Sequence, residues 1–507
     1  MLVRQPKNYQ VPLLQPVKEA LKDMLSALAH DVDAKAMLAI HHLFLTIWAS
    51  NWEPSRDNTM PCITQRCLAL LSMQADGSIC HPKGSTSHMS RFEHVMRLTF
   101  LKEIHLLATE KYHGNFDLAR EALQPWFTEK VRSPFNTLKS LKHRAFAIMS
   151  KTPSLPRSIW TDRVNWTSLL YKGDPLNLNQ IQNMFLDLER ITCHQWEHKV
   201  LMGLKLRVDY ERLADDLTNT EVGYSFLSDP RNKMFHKRDR LALAILGNPQ
   251  LRAHFTTPNA NGGVHWSKHA LQEWLIDYSH LEGLQATRTE MLAGAPGRST
   301  EIHSMNYCNT PTRTTRNLSV LDQYIAVTRM YTKTGSITGV DKLIPHGLDA
   351  FTADMMIQDL AIARPFAELA INLCYPNNEK IQELYQYRLF VNHTKEFVGA
   401  DLTHIMTGLS LKACGFTIGI NAWRHIHANF TKKLCNRTTE LLQESEEDTP
   451  SILQYGHSNN THRIYSQSHD ASLGPADDVL FDFMDASTDW QMVAKVVPGQ
   501  QMFHESH

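Results

Sequence analysis

Apolar residues recur at three- and four-residue spacing over residues 17–50 and 90–127, as in "VMRLTFLKEIHLLATEKY", and this predicts amphipathic helices there. The pattern breaks in "RSPFNTLKSLKHRAFAIMSKTPSLPRSIW", where Pro134, Pro153 and Pro156 interrupt it, so a domain boundary is placed near 128. Residues 178–290 read mostly helical again, with breaks at "LSDPRNK" and "TTPNANGG". After "AGAPG" the texture becomes β-branched. "NLSVLDQYIAVTRMYTKTGSITGVDKLIPHG" predicts a β-hairpin with strands near 324–332 and 337–344. Helices follow near 350–374 and 379–388. "GADLTHIMTGLSLKACG" predicts another, with Asp401 as N-cap and Gly415 just past its end. A last one is expected over about 420–435. The expected fold is mainly α with a small β-hairpin or sheet. It falls into a helical N-terminal domain (1–128), a helical and basic domain (129–290), and an α+β domain with an acidic C-terminal tail (291–507).

The chain has 507 residues, 42% of them hydrophobic, enough for two or three cores. No run of 18 apolar residues suggests a membrane span, and the N-terminus lacks the apolar core and cleavage site of a signal peptide. Eight scattered cysteines suit a reducing, intracellular setting. Cys62, Cys67, Cys80, His81 and His88 invite a zinc reading. Structural zinc prefers close ligand pairs, and "RCLALLSM" reads better as a buried helix, so no metal or other cofactor is expected. The formal net charge of zero hides segregation. Residues 129–172 hold nine basic side chains against two acidic ones, a net +7. Residues 440–507 hold twelve acids against two bases, a net −10. A basic belt of this kind, with Lys130, Arg132, Lys139, Lys142 and Arg144 at its centre, suits a polyanion such as double-stranded DNA.

The candidate chemistry starts at "QYGHSNNTHRIYSQS" (454–468), where Gly456-His457 precedes Tyr465 in a polar stretch with no packing rationale. A tyrosine can act as a covalent nucleophile toward phosphorus. Without a metal, the phosphate oxygens need arginines, whose planar forks donate two hydrogen bonds each. The leaving oxygen needs a proton from a positioned acid. The sequence supplies such groups in order. Arg298 lies near a helix start, with Glu301 one turn on to hold its guanidinium. Lys333 lies at the expected hairpin tip, Arg424 on a helix, and His457 and Tyr465 beyond. Taken singly each has an ordinary reading, as a surface charge, a turn lysine or a loop histidine. The ordered combination carries the argument.

That combination resembles the tyrosine recombinases, through "GRSTE", "YTKTG", "NAWRH", "GH" and "IY" over about residues 291–468. Upstream, "LALLSMQADGS" and "GYSFLSDPRN" are similar to the crypton-type and helicase-associated recombinases of fungal mobile elements. The resemblance implies an α+β recombinase catalytic domain preceded by a helical core-binding domain that clamps DNA. It also implies metal-independent DNA breakage and rejoining. In that scheme Tyr465 attacks the scissile phosphate to give a 3′-phosphotyrosine, Arg298 and Arg424 hold the phosphate oxygens, and Lys333 protonates the leaving oxygen. His457 and Asn421 add hydrogen bonds, with Glu301 and His425 in support. Homo-oligomers on paired DNA sites, a nuclear location, and a helicase or other module in a related or longer protein are implied as well. The acidic segment "VLFDFMDASTDWQMV" is a candidate to dock on a neighbouring protomer. Three departures stand out. Asn421 replaces the histidine that opens the "HxxRH" pattern, and asparagine transfers no proton at neutral pH. The His457–Tyr465 spacing is one residue shorter than in many relatives. An acidic insert, "ELLQESEEDTPS", precedes the "GH". Two alternatives therefore stand beside recombination or transposition: a catalytically inactive DNA-binding protein of the same fold, and a type IB topoisomerase-like enzyme. A helical scaffold with no DNA role is the third.

Overall fold

Among the described residues, helical periodicity in the first third of the chain is realised as the helices Gln15–Ala29, Asp33–Trp48, Ile63–Leu71, Pro82–Glu110, Phe116–Leu123 and Pro134–Lys151. The computed structural model describes residues 13–29, 33–53, 61–127, 131–151, 157–258, 264–329, 344–435 and 477–501. The side chain of Asn115 caps its helix by accepting from the Asp117 and Leu118 amides. Pro134, at a first helical position where a missing N–H costs nothing, opens the basic helix. Trp48, Leu68, Met96, Phe100, Phe135 and Leu138 close the core. Phe100, Phe127 and Phe135 meet edge to face within it.

Two compact units result, Met1–Leu155 and Pro156–His507, and their division differs from the boundaries expected at 128 and 290. The physical reason is burial. Phe135 and Leu138 tie the basic helix into the core of the first unit. Residue 290 lies inside the helix Lys268–Leu292, which is buried on all sides from Leu281 onward and runs through the core of the second unit.

Among the described residues, the second unit holds three antiparallel sheets. The meander β1 (Ser158–Trp160), β2 (Ser168–Tyr171) and β3 (Asp174–Asn177) is one, and the pair β4 (Thr256–Pro258) and β5 (Val264–Trp266) is another. The third is β6 (Leu318–Leu321), β7 (Tyr324–Arg329) and β8 (Ile344–Gly347). The expected strand near 324–332 is realised as β7, which pairs with β8, Arg329 opposite Ile344. The expected second strand, 337–344, lies outside the described residues except for Ile344, and β6 adds a strand that the alternation did not single out. The helices of this unit are Leu178–His194, Arg240–Gly247, Pro249–Phe255, Lys268–Leu292, Ser299–His303, Ala350–Gln358, Arg364–Cys374, Glu379–Tyr387, Gly399–Cys414, Ile420–Leu434 and Asp477–Ala494. The fold is thus mainly α with small antiparallel sheets, as the sequence predicts.

Local differences have local causes. Residues 204–239 hold only a short helical turn at Lys233–Phe235 instead of the expected helices. Asp216, Asn219 and Asp229 bond there to the amides of Thr218, Glu221 and Arg231, and such turns compete with a helix. Asp401 is not the N-cap of its helix. Val398 is, and the Asp401 carboxylate accepts the Val398 amide from one turn in, at 3.0 Å. Gly415, with φ 81°, ends that helix as expected. The helix Asp477–Ala494 packs on its own chain: Trp490 Nε1 donates to the Met291 carbonyl at 2.9 Å, and Gln491 Nε2 to that of Gly347 at 2.9 Å. Among the described residues no helix is long and apolar enough to cross a membrane.

Candidate functional site

The site grows from the loop that leaves the buried helix Lys268–Leu292. Residues 291–297 stay buried, and Arg298 emerges half-buried as N-cap of the short helix Ser299–His303. Glu301 fixes it twice. One carboxylate oxygen accepts the Arg298 amide at 2.9 Å, and the other lies 3.5 Å from Nη1. The guanidinium is thereby oriented by the partner that the sequence suggested.

Beneath this loop lies Arg329, the last residue of β7. It is 4% exposed, donates from Nη1 to the Ala295 carbonyl at 3.1 Å, and pairs through Nη2 with Glu290 at 3.2 Å. Its guanidinium presses on Gly297, where a Cβ would sit 2.1 Å from Nη1 and 2.6 Å from a Glu301 carboxylate oxygen. Gly297 is therefore a close-approach glycine. Gly399 does the same on the other side, where a Cβ would meet Ser299 Cβ at 2.3 Å, so the start of the helix Gly399–Cys414 abuts the start of the arginine-bearing one.

Arg424 comes from the helix Ile420–Leu434. Trp423 anchors that helix fully buried in the core, edge-on to Phe185 at 5.9 Å and beside Trp490 at 5.9 Å. Arg424 is half-buried on another face. Burial, and then the positive charge of Arg298, hold its guanidinium below the ordinary arginine range, while Glu301 and Glu290 pull the other way. Residues 126 positions apart in sequence thus share one electrostatic site. Asn421 and His425 lie three residues before and one after Arg424, Asn421 exposed and His425 half-buried. His425 Nε2 is 2.6 Å from Arg157 Nη1, and since the guanidinium can only donate, that ring nitrogen accepts and the imidazole is neutral. Burial first, then Arg157, Arg424 and Lys172, hold it below the ordinary histidine range.

The site has a buried floor. Burial pushes the Glu290 carboxyl up to about 7 against the opposing pull of Arg329. Burial and Arg329 push His427 down to about 3. His346 on β8 is fully buried, its Nδ1 2.9 Å from the Ala293 carbonyl, and it too is held far below its ordinary range, mainly by burial.

Of the residues singled out from sequence, the structure brings together Arg298, Glu301 and Arg424, with Asn421 and His425 on the Arg424 helix. Lys333, His457, Tyr465 and Lys130 lie outside the described residues. Arg132, Lys139, Lys142 and Arg144 belong to the first unit, and Lys142 is committed to Glu93 at 2.5 Å. Sequence reasoning missed Arg329 and Glu290: Arg329 closes an otherwise largely apolar strand, and Glu290 lies among other charged and polar residues of its helix, which gives no local signal of burial. It also missed Arg157 and Lys172 as companions of Arg424. Cys62, Cys67, Cys80, His81 and His88 do not gather, since among the described residues no group of three or more His, Cys, Asp or Glu could hold a metal. Clefts of about 540 Å³, lined by Arg238, Cys308 and Glu368 among others, and about 620 Å³, lined by Trp196, Arg207 and Asp354 among others, include none of the site residues. Comparison with protein-family models, with curated proteins and with solved structures finds no match.

Proposed function

We propose that the protein breaks and rejoins DNA strands by the tyrosine recombinase reaction. The observation that carries the reading is the convergence of Arg298 and Arg424, one oriented by Glu301 and both brought out of full hydration. Two neighbouring guanidiniums, their charge only partly offset by Glu301 and Glu290, suit an anion they can share, and a phosphodiester offers two non-bridging oxygens for two forks. Partial burial strengthens that grip. Tyr465 supplies the nucleophile and becomes the 3′-phosphotyrosine, and the leaving 5′ oxygen takes its proton from Lys333. His457 and Asn421 donate to the phosphate oxygens. The energy of the broken phosphodiester is kept in the phosphotyrosine bond, so rejoining needs no external energy source. Double-stranded DNA is the substrate, taken by protomers that pair on it, in a nuclear setting.

One observation favours a second reading. Asn421 is exposed on the first turn of the Arg424 helix, where it can hydrogen-bond but not relay a proton. A protein that keeps the phosphate grip without the chemistry would bind DNA and never cleave it. Incubation with nicked or suicide duplexes, followed by denaturing electrophoresis, separates the two. A covalent protein–DNA adduct supports the enzyme; binding without any adduct supports the inactive protein.

A further inference from the structure

Building on that reading, we infer that the β1–β3 meander and the outer face of the helix Ile420–Leu434 form one surface for the backbone of a DNA duplex, continuous with Arg424. Contacts join the two elements along the helix. Arg157, just before β1, reaches His425 at 2.6 Å. Asn429 Nδ2 donates to Ser158 Oγ at 3.2 Å, and Trp160 meets Phe430 edge-on at 5.3 Å. Lys433 Nζ lies 4.2 Å from the Trp166 ring centroid. His425, Asn429 and Lys432 follow one helix face at spacings of four and three. His425 and Asn429 use that face to hold the meander, which sets Arg157 and Lys172 beside Lys432 and Lys433 at the end of the helix.

The cations Arg157, Lys172, Lys432 and Lys433 are all exposed. Asp162, between β1 and β2, is an anion at the same surface, its carboxylate accepting the amides of Val164 and Asn165 and the hydroxyl of Thr167 within its own turn. Asp174, in β3, is another acid of the meander, and Asp489 acts on Cys435 beyond the end of the helix. Two backbone positions add weight. Lys172 and Gly173 form the two-residue turn between β2 and β3, with φ 55° and 99°. Such a turn favours asparagine or aspartate before glycine, yet it presents a lysine. Trp166 holds φ 56°, an uncommon setting for so bulky a residue, and carries the ring under Lys433. An outlier of this kind persists where a side chain must be shown in one place. Exposed cations interleaved with an indole fit a duplex backbone, with arginine and lysine on phosphates.

The test uses full-length protein and a labelled short duplex, with fluorescence anisotropy over a salt series. The surface variant is Arg157→Gln, Lys172→Asn and Lys433→Gln together; asparagine suits the positive φ of the turn, and unchanged circular dichroism and thermal midpoint establish folding. The slope of log K against log salt should shrink by about 2–3, since each phosphate contact contributes about 0.9. Arg157→Lys alone should keep the slope. The variant Arg298→Gln with Arg424→Gln tests the proposed site separately. If it loses affinity while the surface variant keeps the wild-type slope, the surface is overturned and the site stands. If only the surface variant loses slope, the surface stands and the recombinase site does not. Wild-type protein that shows no salt-dependent DNA binding, or that binds an acidic peptide through these cations in place of DNA, overturns the surface.

Discussion

Gly297→Ala is the sharpest test of how Arg298 is presented. The added methyl would lie 2.1 Å from Arg329 Nη1 and 2.6 Å from a Glu301 carboxylate oxygen. The first atom ends a long side chain, but that side chain is not free to yield: it is buried and bound to Glu290 and the Ala295 carbonyl. Retreat would break a buried ion pair, worth roughly 3–5 kcal/mol when one partner is lost. Overpacking with the pair kept costs about 1–3 kcal/mol. The chain takes the cheaper course, so a loss of about 2–3 kcal/mol is expected, and a fall of roughly 5 °C in the melting of the second unit. Thermal unfolding followed by tryptophan fluorescence reads it, with Trp423 and Trp490 both in that core. A double-mutant cycle isolates the cause. In a background carrying Arg329→Ala and Glu290→Ala, only the flexible end of Glu301 remains close, and Gly297→Ala should lose most of its effect. An equal loss in both backgrounds would refute the close-approach account.

Other outcomes follow from the same contacts. Glu290 holds its proton more tightly folded than unfolded, so the stability it contributes is present below about pH 4.5 and lost as pH rises through about 7. Glu290→Gln should therefore flatten the pH dependence of stability across that window by roughly 3 kcal/mol, read from urea midpoints at several pH values. Trp490→Ala should cost about 3–5 kcal/mol in urea unfolding and weaken DNA binding too, because its ring, 4.3 Å from that of His427, supports the Arg424 helix. Arg424→Ala should lower the rate of adduct formation by about 10²–10³-fold in single-turnover assays. Asn421→His should raise adduct yield on suicide duplexes if the missing proton relay limits cleavage.

Periodicity made most helices and the strand β7 legible, because amphipathic faces and β-branched runs are local signals. The Arg298–Glu301 pair was legible for the same reason, a three-residue spacing at a helix start. Arg329 and Glu290 were not, because a buried pair joins a strand to a helix 39 residues earlier and leaves no spacing rule. The division of the chain was misplaced for a related cause. The basic helix reads as a separate, charged segment, yet Phe135 and Leu138 bury it with the first unit. Arg157 and Lys172 stood in the basic belt, but their neighbourhood with Arg424 depends on a strand meander docking on a helix far along the chain. The irregular run before residue 240 looked helical by composition, and side chains that cap their own turns decided otherwise.

The central claim is that Tyr465 attacks a phosphate held by Arg298 and Arg424. Trapping on suicide duplexes with full-length wild type, Tyr465→Phe and Arg298→Ala tests it most directly, scored by denaturing electrophoresis and by mapping the labelled peptide. The account predicts an adduct for wild type, attached through Tyr465, none for Tyr465→Phe despite near-normal DNA binding, and a much reduced yield for Arg298→Ala. No wild-type adduct on any duplex that the protein binds, or an adduct that persists in Tyr465→Phe, would contradict it.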